Sequence, residues 1–177
     1  MEALTLTMIW LFDDISPETA QYVCYEILKS QDEEEICMLI NSQGGDLYSG
    51  IAIINAMKTS CVPIRTIVYG AAYSMALSVA VAGTPGRRQC MKNSTYMYHE
   101  VQMVMSEITT HYNMSSYLEQ FKKVVDMERA MFIGATKLTN DIIQDYIMKG
   151  HEIFFTVDEA LKYGLVDEVI DYADINK

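Results

Sequence analysis

The stretch PIRTIVY (63–69), followed directly by GAAYSMALSVA (70–80), decides the fold. Its first part is apolar and β-branched, which is typical of a buried strand, and its second part is a run of small residues that predicts a turn at Gly70 and then a helix. Strand, glycine-bearing turn and helix also follow one another at 36–58. This alternation predicts an α/β fold with a mostly parallel sheet, whose sites lie at the carboxyl ends of the strands.

The flanking sequence continues the alternation. An apolar run at 4–11 predicts a buried first strand, and Ser16 with Pro17 predicts a helix that ends near Ser30. Further elements are predicted as a strand at 95–99, helices at about 114–135, at 139–148 and between a capping box at Thr156 and Gly164, and a last strand at 166–170. Because 177 residues is an ordinary size for one core, we expect one domain over 1–177.

Composition excludes several classes of protein. A net charge of -11 would repel nucleic acid, and no basic leader or run of ~20 apolar residues indicates export or a membrane span. We therefore expect a cytoplasmic protein without nucleic-acid or membrane partners, cofactor or metal. The four cysteines lack CxxC spacing and are predicted to be reduced core residues: Cys24, Cys37, Cys61 and Cys90.

Two side chains indicate acyl-transfer chemistry when they are taken together. Ser74 follows a strand and a glycine at the start of a helix, and His99 ends a later strand at the same expected edge of the sheet. A serine needs such a base to become a nucleophile, and backbone amides of Gly45 and Met75 could hold the resulting oxyanion. Taken singly, each residue has an ordinary reading, Ser74 as a small packing residue and His99 as a structural one.

The surrounding motifs resemble the ClpP-like peptidases, the proteolytic subunits of the Clp protease. Residues 40–45, INSQGG, are similar to that family's INSPGG turn, and residues 70–76, GAAYSMA, are similar to its GxAxSMG nucleophile segment. The 25 positions from Ser74 to His99 also agree with the family. The resemblance implies a serine endopeptidase with a crotonase-like fold of ββα units, in which Ser74 is the nucleophile, His99 is the general base, and no cofactor takes part.

The third catalytic group departs from the family pattern. The family has an aspartate two positions before a phenylalanine near its end, and this chain has Glu152 before Phe154. Glutamate can also orient a histidine, so Glu152 is predicted to complete the triad, with Asp145 and Asp158 as alternatives. Gln43 in place of proline, and Ala76 in place of glycine, are further departures beside the expected site.

The resemblance also implies an assembly. Family members form two stacked seven-membered rings around a chamber that admits peptides or unfolded proteins, and a protruding helix and handle hold the rings together. Here the handle, 102–113, contains no glycine, although Met103, Met105 and Ile108 could still form an extended edge. The first strand begins soon after Met1, which weakens the case for a Clp-type ATPase partner and leaves open another regulator or a stand-alone, virus-encoded role.

Two other functions compete with the peptidase. One is a weak or inactive structural ring subunit, which the change to Glu152 favours and the retention of Ser74 and His99 disfavours. The other is a crotonase-fold enzyme that binds a coenzyme A thioester in the Gly-Gly turn, chemistry that does not need a serine and histidine at this spacing.

Overall fold

A computed structural model describes residues 6–102, 111–148 and 152–171. Helices and strands alternate through most of this part of the chain, as predicted. The elements are β1 (Leu6–Leu11), α1 (Pro17–Lys29), β2 (Glu35–Ser42), α2 (Leu47–Thr59), β3 (Ile64–Tyr73), α3 (Met75–Val81), β4 (Arg88–Met91), β5 (Thr95–Tyr98), α4 (His111–Ala135), α5 (Asn140–Met148), β6 (Ile153–Phe155), α6 (Val157–Tyr163) and β7 (Glu168–Ile170).

The strands form one sheet with the order β1-β2-β3-β4-β7, and every pair along this path is parallel. Strand β5 leaves the path because it pairs in parallel with the last residues of β3, and β6 pairs antiparallel with β5. Helix α1 packs on α2, α2 packs on α3, and α3 contacts α4. The predicted α/β architecture is therefore confirmed, as a parallel sheet from which only β5 and β6 depart among the described strands.

Local signals explain where the helices begin and end. The Ser16 side chain accepts a hydrogen bond from the Thr19 amide at 3.2 Å, which caps α1. Thr156 and Glu159 form the predicted capping box of α6, and Gly164 ends that helix in a left-handed conformation with φ 68°. These three predictions from the sequence are confirmed.

Strand β3 runs four residues past Tyr69, so the predicted turn at Gly70 is wrong. The cause is the Asn41 side chain, whose Oδ1 accepts a hydrogen bond from the Ala71 amide at 3.0 Å. A side chain at Gly70 would collide with this carboxamide, since a Cβ there would lie 2.5 Å from Oδ1. The glycine thus makes room for a side chain that bridges an irregularity between β2 and β3, and the strand continues.

Other predictions are corrected by burial and pairing. Strand β1 is buried on one face only, because Ile9 and Leu11 point into the core while Trp10 is 54% exposed. Cys61 is exposed, so it is no core residue, although all four cysteines are free. The sequence reading also missed the short strands β4 and β6. The extended edge expected from Met103, Met105 and Ile108 is outside the described residues.

A partly buried ion pair between Arg88 and Asp167 ties three elements together near the end of the chain. The Asp167 carboxylate accepts hydrogen bonds from Arg88 Nε at 2.9 Å and Nη2 at 2.5 Å, and from the Gly86 amide at 2.7 Å. Arg88 Nη1 also donates to the Ala135 carbonyl at the end of α4. Burial by itself would raise the pKa of Asp167, but the hydrogen bonds from Arg88 and Gly86 lower it below its ordinary value.

We expect Asp167→Asn to lower the free energy of unfolding at pH 7 by about 1–2 kcal/mol, because charged hydrogen bonds are lost at a site that solvent partly screens. A lowered native pKa gives stability that is present above the unfolded value of about 3.9 and is lost as the pH falls through the native pKa. The difference from wild type should therefore shrink in acid, which urea unfolding at pH 7 and near pH 3 measures. Asp32→Asn, in an exposed turn, is the control, and equal stability of Asp167→Asn and wild type at pH 7 would contradict the expectation.

Candidate active site

Ser74 occupies a strained turn between β3 and α3. With φ 52° and ψ -126°, it is the one non-glycine residue with positive φ in the described ranges, a conformation that costs about 1–3 kcal/mol. Its amide donates to the Met97 carbonyl of β5 at 2.8 Å, and its carbonyl accepts from the Leu77 amide of α3 at 3.0 Å. The turn is held from both sides, and it directs the hydroxyl outward from the end of the strand.

His99 lies beside this hydroxyl because of strand pairing. Strand β5 aligns Met97 with Tyr73, the last residue of β3, so the residues that follow the two strands are neighbours. His99 Nε2 is 2.7 Å from Ser74 Oγ, which is a hydrogen-bond distance, and both residues are half-buried. The structure therefore brings together the two side chains that the sequence singled out.

The Gly44–Gly45 turn lies directly against the serine. Gly44 has φ 95°, and a Cβ there would be 2.8 Å from the Ser74 Cβ and 3.0 Å from the Met75 amide nitrogen. No larger residue allows this approach, which explains the paired glycines at the end of β2. The close approach puts the Gly45 backbone and the first amide of α3 on the same cleft.

Two backbone amides at this cleft have no acceptor among the described residues. The bridge between Gly45 and Ile15 uses the Gly44 carbonyl and the Asp46 amide, at 2.8 and 2.7 Å, so the Gly45 amide points away from Ile15. Met75 begins α3, where the first amides lack a partner within the helix. Such a pair of donors suits an oxyanion that forms next to Ser74 Oγ.

The third group is less defined than the first two. Among the described residues, the side chain beside His99 Nδ1 is Gln102, whose Nε2 lies 3.5 Å away. Glu152 is exposed, and no hydrogen bond joins it to His99 within the described ranges. It does stand one step beyond the Tyr98–Ile153 pair of β5 and β6, so continued pairing would place it opposite His99. Its role as the orienting carboxylate remains a prediction.

The alternatives to these residues fall elsewhere. Asp158 is exposed in the first turn of α6, and Asp145 is on α5. His111 and His151 are the other two histidines of the sequence, and their side chains are outside the part of the chain that the structure describes. Within the described ranges, no cluster of His, Cys, Asp and Glu could hold a metal ion, and no helix is long and apolar enough to cross a bilayer.

The serine and histidine open onto a cleft of about 640 Å³. Apart from the catalytic candidates, its walls are mostly apolar or aromatic side chains of α2, β5 and α4, and they include Tyr48, Met97, Tyr117, Phe121 and Val124. Clefts of this size with a few convergent polar groups are typical of ligand sites. The cleft can accept an apolar side chain next to the serine hydroxyl.

Glu128 also reaches this cleft, and the sequence reading did not single it out. It is 6% exposed, and its two carboxylate oxygens accept hydrogen bonds from Ser78 Oγ at 2.8 Å and from the Tyr98 hydroxyl at 3.1 Å. Burial raises the pKa of Glu128, and the two hydroxyl donors only partly oppose this rise. The one sequence signal is its place two turns of helix after Phe121, on the face of α4 that also carries Val124 and Val125.

A parallel α/β fold that joins a serine hydroxyl, an imidazole and two backbone amides on one cleft is the arrangement of an acyl-transfer hydrolase. Comparison with known proteins narrows this class. The family model for Clp protease matches residues 2–173, and the chain belongs to that family, with its crotonase-like fold.

Curated bacterial relatives agree with this assignment. The ATP-dependent Clp protease proteolytic subunit of Deinococcus radiodurans is 34% identical over 154 residues, which are 85% of this chain and 72% of that protein. The protein of the same description from Borreliella afzelii is 30% identical over 169 residues, 92% of this chain and 82% of its own. The ATP-dependent Clp protease proteolytic subunit 1 of Corynebacterium diphtheriae is 30% identical over 148 residues, which are 81% of this chain and 68% of that protein.

The strain at Ser74 gives a prediction about stability. Ser74→Gly and Ser74→Ala both remove the hydroxyl, but only glycine adopts a positive φ without strain. We expect the glycine variant to have the higher free energy of unfolding, by about 1 kcal/mol, in urea titrations. The same pair of substitutions at Ser116, exposed in regular helix α4, should give the reverse order. Equal stability of the two Ser74 variants would show that the turn is unstrained.

Proposed function

We propose that this chain is a serine endopeptidase subunit that cleaves peptides or unfolded proteins inside an oligomeric chamber. The observation that carries the proposal is the 2.7 Å contact between Ser74 Oγ and His99 Nε2. Beside it are the backbone amides of Gly45 and Met75, for which the described part of the chain offers no acceptor. The proteolytic subunits named among its relatives support the same activity.

The proposed reaction is acyl transfer in two stages. His99 Nε2 takes the hydroxyl proton as Ser74 Oγ attacks the peptide carbonyl, and the amides of Gly45 and Met75 donate to the resulting oxyanion. The carbon–nitrogen bond then breaks, and His99 returns the proton to the leaving amine. In the second stage, water attacks the carbonyl carbon of the acyl-serine while His99 Nε2 takes a proton from the water. The bond from that carbon to Ser74 Oγ then breaks, and His99 returns the proton to Oγ, which restores the free serine. In this scheme Glu152 accepts from His99 Nδ1 when substrate is bound.

Substrate preference and assembly follow from the surfaces around the site. The apolar walls of the cleft favour an apolar side chain next to the cleaved bond. The outer face of β1 exposes Leu6, Met8 and Trp10, and large exposed apolar faces are typical of contacts between proteins. We infer that such contacts build rings, with two stacked heptamers as the expected form, and a cytoplasmic location remains part of the proposal.

Ser74→Ala should abolish cleavage of a fluorogenic peptide that has an apolar residue before the cleaved bond, with a fall in kcat of at least about 10³-fold. His99→Ala should have a similar effect, because the serine then lacks its base. Ser116→Ala, at an exposed serine of α4, is the matched control and should cleave like wild type.

Analytical ultracentrifugation of the same samples gives the oligomeric mass, which distinguishes an active peptidase from a structural ring subunit. Loss of cleavage and of fluorophosphonate labelling in Ser74→Ala, with the mass retained, supports the peptidase. A wild type that forms rings but neither cleaves nor labels would instead be a structural subunit.

The orienting carboxylate is tested separately. Glu152→Gln keeps the size of the side chain but removes its charge, so kcat should fall by about 10²–10⁴-fold with little change in KM. Glu152→Asp should keep most of the activity, and Asp158→Asn, at an exposed carboxylate of α6, should keep all of it. Wild-type kcat in Glu152→Gln would remove Glu152 from the mechanism without affecting the roles of Ser74 and His99.

A further inference from the structure

We propose that Glu128 is a positioning residue, which holds the Ser74 and His99 side chains within hydrogen-bond distance of each other. This inference rests on the proposed function, because it assigns a task to a residue that stands behind the proposed catalytic pair. Its basis is the bridge that Glu128 makes between the helix that begins after the serine and the strand that ends before the histidine.

One side of the bridge is α3. Ser78 is four residues after Ser74, one turn into this short helix, and its Oγ donates to Glu128 Oε1 at 2.8 Å. The Ser78 amide also reaches back to the Ser74 carbonyl at 3.4 Å. Because α3 has only seven residues, a contact at Ser78 limits the movement of the whole helix and of the strained turn at its start.

The other side of the bridge is β5. Tyr98 directly precedes His99, and its hydroxyl donates to Glu128 Oε2 at 3.1 Å. Its ring stacks on Phe132, one turn after Glu128 on α4, with centroids 4.5 Å apart and planes at 16°. Helix α4 therefore holds Tyr98 by both its hydroxyl and its ring.

The residue after His99 is held by the same helix. Arg129 Nη2 forms an ion pair with Glu100 Oε1 at 2.6 Å, so both neighbours of His99 are attached to consecutive residues of α4. Among the described residues, the charged and titratable groups that face Glu128 are Tyr98 from β5 and Arg129 from its own helix, with the Ser78 hydroxyl from α3. A buried carboxylate whose two oxygens both accept hydrogen bonds has a defined position. It therefore restricts the movement of the strand and the helix whose side chains donate to it.

Three variants separate positioning from simple stability. Glu128→Leu removes both acceptors at similar volume, Glu128→Gln keeps one acceptor and gains a donor that either hydroxyl can accept, and Asp126→Asn changes an exposed carboxylate of the same helix. A shift of about 1 Å between reacting groups costs up to about 10²-fold in rate. For Glu128→Leu we expect kcat to fall by about 10–100-fold, with KM changed by less than about 3-fold.

Rescue and reactivity complete the test. Glu128→Gln should recover kcat to within about 3-fold of wild type, and Asp126→Asn should match it. The rate of fluorophosphonate labelling, counted per folded subunit, should fall in Glu128→Leu by the same factor as kcat. Unchanged kcat and labelling in folded Glu128→Leu would overturn the proposal. If that variant does not fold, Tyr98→Phe removes only the hydroxyl, and a wild-type kcat in it would be equally decisive.

A crystallographic readout keeps this inference separate from the proposed function. In crystals of Glu128→Leu, or of Tyr98→Phe in its place, the distance from Ser74 Oγ to His99 Nε2 should exceed the 3.5 Å limit of a hydrogen bond, against 2.7 Å in wild type. An unchanged distance would overturn the positioning role. If the wild type neither cleaves nor labels, the proposed function fails, and the distance still decides the role of Glu128.

Discussion

The pairing of the last residues of β3 with β5 is the constraint on which the site depends. Along its first half β3 pairs with β4, and after the irregularity at Asn41 it pairs with β5 instead. This change of partner places the ends of two strands side by side, and the hydrogen bond from the Ser74 amide to the Met97 carbonyl continues the ladder into the turn. This pairing brings the backbones of Ser74 and His99 together, and the contacts of the Gly44–Gly45 turn and of helix α4 lie around the two side chains.

The part of this arrangement that sequence could predict is the part that depends on local patterns. The alternation of strands and helices, the capping box at Thr156 and the expectation that Ser74 and His99 end at one sheet edge all follow from spacing and residue type. The turn at Gly70 failed because a glycine can make room for a neighbouring side chain as well as a turn, and that neighbour, Asn41, is distant in sequence. Strand β4 was missed because four residues that include Arg88 and Gln89 carry no apolar period.

The burial of Glu128 and the exposure of Trp10 depend on tertiary packing, and for that reason they could not be predicted from the sequence. Glu128 is flanked by the charged residues Asp126 and Arg129, which do not suggest a buried carboxylate, and it is the contacts of α4 with α3 and β5 that bury it. The exposure of Trp10 was likewise hidden, because an apolar run does not tell whether both faces of its strand are covered. In both cases a residue's environment comes from elements that are remote along the chain, and the sequence of the segment itself is silent about them.

The outward face of β1 has a consequence for how the protein behaves at different concentrations. The strand presents Leu6, Met8 and Trp10 to solvent, and covering them with another surface would lower the free energy of the folded state. Association through this face would therefore shift the equilibrium between folded and unfolded chains toward the folded form. For the assembly proposed above, the melting temperature would then rise with protein concentration, and the abundance of the protein would be a determinant of its stability.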